Sequence, residues 1–141
     1  MPDAKYVPIQ PHLFTIPPFL RVVREFSFDA AHFLPGYEGK CANLHGHRWV
    51  LQVGVTAQVD EETGMVMDFK ELQAVVQKHV IEQLDHTCLN DVDVIRSGFP
   101  TQQPTAERIL WWAVQCLLPL LPSLSFVRLY ESPGSYVEWL R

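Results

Sequence analysis

Two long stretches of alternating polarity constrain this chain more than any other feature. Within residues 20–32, Leu20, Val22, Phe26, Phe28, Ala30 and His32 share one parity, interrupted at Arg24. Within residues 45–60, His45, His47, Trp49, Leu51, Val53 and Val55 share a parity, while Arg48, Gln52 and Thr56 take the other. Side chains two apart on a strand point the same way, so each stretch predicts a long strand with one apolar face. Pro35 and Gly36 open a loop between them that runs to about Asn43. His32 lies at the end of the first strand and His45 and His47 at the start of the second. All three carry the apolar parity, so two strands can bring three imidazoles together at one end of the core face.

The rest of the chain alternates between helix and strand signals. Glu61-Glu62-Thr63-Gly64 reads as a turn. Asp68 as N-cap with Glu71 three residues on is a capping-box variant. Phe69, Leu72, Val75, Val76, Val80 and Leu84 then follow helical spacing, and Asp85-His86 closes the helix. A polar link over residues 90–103 leads to Pro104-Thr105-Ala106-Glu107, where a second helix opens. Its apolar side is Ile109, Trp112, Ala113, Cys116 and Leu117, and Pro119 and Pro122 end it. Residues 125–131 read as a third strand, Ser132-Pro133-Gly134 as a tight turn and residues 136–140 as a short fourth strand. The order β-β-α-α-β-β predicts an α+β fold, a four-stranded antiparallel sheet with both helices on one face. Four strands rarely close a barrel alone and bare sheet edges invite pairing with another copy, so a homo-oligomer is expected.

The domain organisation is simple. Five of the eleven prolines fall in residues 1–19, which read as an irregular N-terminal arm carrying His12; residues 20–141 read as a single domain. With 48% apolar residues, that length buries a core without disulfides. The net charge of −5 and the lack of a basic run argue against a nucleic-acid reader. Cys41, Cys88 and Cys116 are odd in number and form no Cys-x-x-Cys pair, which fits a reducing cytoplasm. The longest apolar stretch, broken by Gln115 and Pro119, is too short to span a bilayer, so no membrane partner is expected.

Several residues carry candidate chemistry. Three histidines are the set a catalytic zinc uses, with a fourth position open; imidazole also suits iron, nickel or copper. Cys41 is a buried thiol, a fourth ligand closing that site, or a thiolate beside the metal available for proton transfer. Asp85-His86 is a solvated helix end or an oriented histidine that moves protons. Glu131 shares the parity of Val127 and Leu129, so it needs a donor: an internal arginine, or a ligand's paired N–H groups accepted bidentately. Thr105 and Glu107 are explained by capping and dipole complementarity alone. Cys88, Cys116 and His79 read as packing residues.

Taken in order, Phe28-Asp29-Ala30-Ala31-His32, Cys41-x-x-x-His45-Gly46-His47, Asp68-Phe69, Leu84-Asp85-His86-x-x-Leu89-Asn90, Pro104-Thr105-Ala106-Glu107 and Glu131 resemble the 6-pyruvoyltetrahydropterin synthase superfamily. The resemblance covers about residues 22–140 and is greatest to the bacterial 6-carboxy-5,6,7,8-tetrahydropterin synthase branch of queuosine biosynthesis, which shares the three-residue gap between Cys41 and His45. It implies the tunnelling fold, with sheets joined into a barrel, usually as a hexamer. It implies one zinc per subunit on His32, His45 and His47, Cys41 as catalytic thiol supported by Asp85 and His86, and Glu131 as pterin anchor. Thr105 and Glu107 match a segment that lines the pterin pocket. The implied substrate is 7,8-dihydroneopterin triphosphate, and the products are 6-carboxy-5,6,7,8-tetrahydropterin, acetaldehyde and triphosphate. The alternatives are a pyruvoyl product formed by triphosphate elimination, and a noncatalytic zinc- or pterin-binding protein. Glu131-Ser132 departs from the more usual Glu-Thr. Lys40, Arg24 and Arg48 are candidates for the triphosphate on position only.

Overall fold

A computed structural model describes residues 17–96 and 103–141. Most of the predicted N-terminal arm, His12 included, and the last part of the 90–103 link lie outside the described residues.

The two alternating stretches form the longest strands, β1 (Phe19–His32) and β2 (His45–Gln58). They pair antiparallel without interruption from Phe19 opposite Gln58 to His32 opposite His45. The predicted parity holds: Phe26, Phe28, Ala30 and His32 of β1 and Trp49, Leu51, Val53 and Val55 of β2 are all buried. The outer end of β1 is barer, with Phe19 and Leu20 exposed.

Helix α1 covers residues 69–84. It is α-helical over Phe69–Val76, passes through a π turn at Gln77–Ile81 and ends over Glu82–Leu84. The Asp68 carboxylate accepts the N–H of Lys70, one residue short of the Glu71 position a capping box uses. The π turn re-phases the helix, which lets Val80 and Ile81 both face the core along with Leu72, Val76 and Leu84. Phe69 is exposed instead. After α1 come a two-residue strand β3 (Thr87–Cys88), a 3-10 turn at Leu89–Asp91 and a short helix α2 (Asp93–Arg96). Helix α3 (Ala106–Leu117) is capped by the Thr105 hydroxyl, which accepts the N–H of Arg108. Strands β4 (Leu124–Ser132) and β5 (Ser135–Leu140) form a hairpin joined at Pro133 and Gly134.

The sheet corrects one expectation. Among the described residues it has five strands in the order β3-β1-β2-β4-β5, not four, and it is mixed, because β3 runs parallel to β1 at Ala30 and Ala31. A strand of two residues shows no period in a sequence, so nothing marked it. Side chains of both long helices and the buried parity of β1, β2 and β4 form a single cluster, which puts α1 and α3 on the same sheet face. Among the described residues, no helix is long and apolar enough to cross a membrane.

Candidate active site

The register that pairs β1 with β2 sets His32 directly across from His45, and His47 across from Ala30. Because all three carry the core parity, their rings meet. The centroids are 4.6 Å apart for His32 and His45, 5.2 Å for His32 and His47, and 4.9 Å for His45 and His47. One ring nitrogen from each lies within 4.8 Å of the others. Trp49, fully buried, forms the floor, its ring meeting His32 edge-on at 5.1 Å and His47 at 5.4 Å.

Two backbone carbonyls orient the rings. His32 Nδ1 is 2.9 Å from the carbonyl oxygen of Pro104, just before α3, and His45 Nδ1 is 2.7 Å from that of Asn43. A carbonyl only accepts, so each Nδ1 carries the hydrogen and each Nε2 keeps its lone pair. This is the outer hydrogen bond that metal-ligating histidines make. The Nε2 atoms of His32 and His47 are buried with no hydrogen-bond partner among the described residues. Burial pushes His32 below the usual histidine value of 6.5, against the opposing pull of the Pro104 carbonyl. Burial lowers His47 too, against the Glu131 carboxylate. A metal requires neutral imidazoles with convergent lone pairs; His32 and His47 offer bare nitrogens and His45 converges with them, so the group can hold a metal ion.

Cys41 sits in a one-turn 3-10 segment (Lys40–Ala42), half-buried, and its carbonyl accepts the N–H of Leu34. Its thiol is outside the group of converging donors. Asp85 and His86 follow α1. Asp85 Oδ1 accepts the Asp29 N–H at 2.9 Å, and the His86 N–H donates to the Asp29 carbonyl at 2.7 Å. Asp85 Oδ2 lies 2.9 Å from His86 Nδ1. In the neutral ring, a carboxylate fixes the hydrogen on Nδ1 and leaves the lone pair on His86 Nε2. The Asp29 N–H and His86 together hold the Asp85 carboxyl below the usual carboxylate range. His86 is the one non-glycine among the described residues with positive φ, at 58°. This couple gathers with Asp29, and Cys41 is not part of that group either.

Glu131 ends the core parity of β4, with its Oε1 3.8 Å from His47 Nε2. It lines a cleft of about 300 Å³ together with His32, Thr105, Glu107 and Tyr136. The chain thus brings Thr105, Glu107 and Glu131 to one side of the histidines. On the other side, Glu131 and His47 border a larger concavity of about 620 Å³, walled by Glu25, Arg48, Gln52 and Tyr130. His86 lines a separate one with Asp29, His47 and Arg48.

Three supporting contacts were not legible from sequence: the Pro104 carbonyl on His32, the two-point Arg48–Asp29 pair at 3.0 and 3.1 Å, and the Asn90 side chain. The Asn90 amide accepts the Phe33 N–H and donates to the Phe33 carbonyl, just after His32. The structure also sorts the cations. Arg24 bonds Gln73, eight residues up β1 from His32, or about 26 Å along a strand. Arg48 is committed to Asp29, which leaves Lys40 beside Cys41.

Known proteins share this sequence and fold. A 6-carboxy-5,6,7,8-tetrahydropterin synthase of Synechocystis is 43% identical over 123 residues, covering 84% of this chain and 91% of that protein. One of Haemophilus influenzae is 33% identical, covering 84% and 97%. The solved 6-pyruvoyl tetrahydropterin synthase of Caenorhabditis elegans superposes with a TM-score of 0.77 at 26% identity, covering 89% of this chain and 98% of that one. The family model of 6-pyruvoyl tetrahydropterin synthase matches residues 21–141, so the chain belongs to the 6-pyruvoyl tetrahydropterin synthase family.

Proposed function

We propose that this chain is a zinc-dependent lyase. With one water consumed, it converts 7,8-dihydroneopterin triphosphate to 6-carboxy-5,6,7,8-tetrahydropterin, acetaldehyde and triphosphate, in the cytoplasmic pathway to queuosine. The observation that carries the reading is the set of bare, convergent Nε2 atoms on His32 and His47 beside Glu131. The names of the Synechocystis and Haemophilus relatives support the product.

Held by His32, His45 and His47, zinc supplies Lewis acidity toward the hydroxyls of the substrate side chain. Glu131 accepts the pterin's amino and ring N–H groups on its two oxygens, with Thr105 and Glu107 along the same cleft. Cys41 and His86 transfer protons on opposite sides of the side chain. Asp85 keeps His86 in the tautomer whose Nε2 is the base. Oxidation state moves from side chain to ring, so no hydride cofactor is needed. The subunits associate as a homo-oligomer, a hexamer in this reading, whose sheets join into a barrel.

The second reading is the pyruvoyl product, favoured by the likeness to the nematode enzyme. The three-residue gap from Cys41 to His45 speaks for the carboxy branch. Incubation of zinc-loaded protein with dihydroneopterin triphosphate, with mass analysis of the pterin, decides between them. A carboxy product supports the main reading, a pyruvoyl product the second, and no reaction sinks both.

A further inference from the structure

We propose that Gln103 is a positioning residue for Cys41: its side-chain amide pins the loop that carries the thiol to the segment that orients His32. The inference rests on the reading of Cys41 as a proton-transfer group.

Residues 33–44 join β1 to β2. The stretch 35–40 is exposed throughout, so burial does little to hold it. Gly36 and Gly39 have φ of 77° and 145°, backbone that glycine adopts and leaves at little steric cost. The two ends are fixed. Asn90 clamps Phe33, and the Asn43 carbonyl meets His45 Nδ1. Inside the loop, the Leu34 N–H donates to the Cys41 carbonyl at 2.8 Å, which ties the place of Cys41 to that of Leu34 and Pro35. Gln103 Nε2 in turn donates to the Pro35 carbonyl at 2.7 Å.

Gln103 is itself well held. Pro104 restricts the residue before it to extended backbone. The Gln103 carbonyl accepts the N–H of Thr105 at 2.9 Å and Nη1 of Arg108 at 3.1 Å. Arg108 is buried in the first turn of α3, next to the core residues Ile109 and Leu110. One residue after Gln103, the Pro104 carbonyl orients His32. An anchored dipeptide thus holds a candidate metal ligand with a carbonyl and the thiol's loop with an amide. Leu34, beside the pinned carbonyl, lines the cleft with His32, Thr105 and Glu131. Placement of the thiol relative to that cleft therefore depends on Gln103, and proton transfer depends steeply on placement.

The chain's three cysteines serve as reporters. Cys41 is in the loop, Cys88 on β3 and Cys116 on α3, and all three are half-buried. Zinc-loaded full-length protein is alkylated with iodoacetamide under native conditions, and the rate at each thiol is read by peptide mass spectrometry. In Gln103→Ala the Cys41 rate should rise about three- to tenfold, the shift that loss of one net hydrogen bond allows. Cys88 and Cys116 should keep their wild-type rates, and zinc content should not change. Gln103→Glu, of the same shape but unable to donate when ionised, should match Gln103→Ala. With dihydroneopterin triphosphate, kcat should fall in both variants while KM holds, because Gln103 does not line the cleft. An unchanged Cys41 rate in Gln103→Ala overturns the proposal. So does equal acceleration at all three thiols, which is general loosening, or a wild-type kcat with Cys41 released. If wild type fails to turn over dihydroneopterin triphosphate while the Cys41 rates move as stated, the lyase reading fails and the anchor stands.

Discussion

At the scale of single residues, His32 is both a buried polar group and a candidate ligand, and these roles pull against each other when no metal is bound. Burial holds His32 and His47 below 6.5 in the folded chain. The unfolded chain takes up these protons near 6.5 and the folded apoprotein only at lower pH. Between the two values the unfolded state binds more protons, so stability rises with pH. The contribution is fully present above about 6.5 and is lost as pH falls below it. The apoprotein's Tm, followed by circular dichroism, should therefore drop between about pH 7.5 and about pH 5.5. A His32→Gln/His47→Gln variant should show a flatter profile over that window, and an equally steep one would refute the assignment. Cys41 makes the complementary case. Cys41→Ala should keep one zinc per chain by metal analysis and an unchanged Tm while turnover is lost, whereas His47→Ala should lose the zinc. Loss of zinc from Cys41→Ala would make the thiol a fourth ligand and the site a structural one.

At the scale of elements, the parts that were legible share one property: a period repeated often enough to be read. β1 and β2 are each fourteen residues long and alternate over most of that length, and that parity alone put three histidines on one face. β3 has two residues and no period, and its place beside β1 depends on Ala30 and Ala31, which carry no mark of it. The π turn in α1 was hidden because it changes which residues face the core without changing residue types. The Pro104 carbonyl was hidden because every residue has one. The Arg48–Asp29 pair required the β1–β2 register, which parity does not supply. Asn90 stood inside a recognised motif, yet only the structure gives it a task. Its amide closes the edge of the sheet on Phe33, which follows the candidate ligand His32. Asn90→Ala should cost about 1–3 kcal/mol in denaturant unfolding, because two half-buried backbone groups lose their partner. Zinc affinity, measured by competition with a chelator, should fall with it. Asn90→Asp keeps the acceptor for the Phe33 N–H and loses the donor, so it should lie between. An Asn90→Ala protein with wild-type zinc affinity would show that the clamp does not position His32.

At the scale of the whole molecule, the groups proposed for proton transfer fall in different clusters of the described residues. Cys41 belongs neither to the three-histidine group nor to the Asp29-Asp85-His86 group, and His86 borders a different concavity from the cleft of Thr105, Glu107 and Glu131. Among the described residues, β1 pairs with β3 only at Ala30 and Ala31, which leaves most of its outer side without a strand partner, and β5 is the other edge of the sheet. Such edges template pairing with another chain unless something covers them. A closed ring of subunits would satisfy both edges by one repeated contact, and a site shared between chains would join the Cys41 of one to the His86 of another. Light scattering at micromolar concentration should therefore give a mass several times 16.2 kDa. Cys41→Ala and His86→Gln should each be inactive alone. Mixed, partly unfolded and refolded together, they should regain part of the wild-type turnover, because some sites then receive an intact thiol from one chain and an intact imidazole from the other. Native mass spectrometry of the mixture verifies that subunits have exchanged. Exchange without recovered turnover would mean that Cys41 and His86 serve the same site from the same chain, and the loop carrying Cys41 would then have to move to reach it.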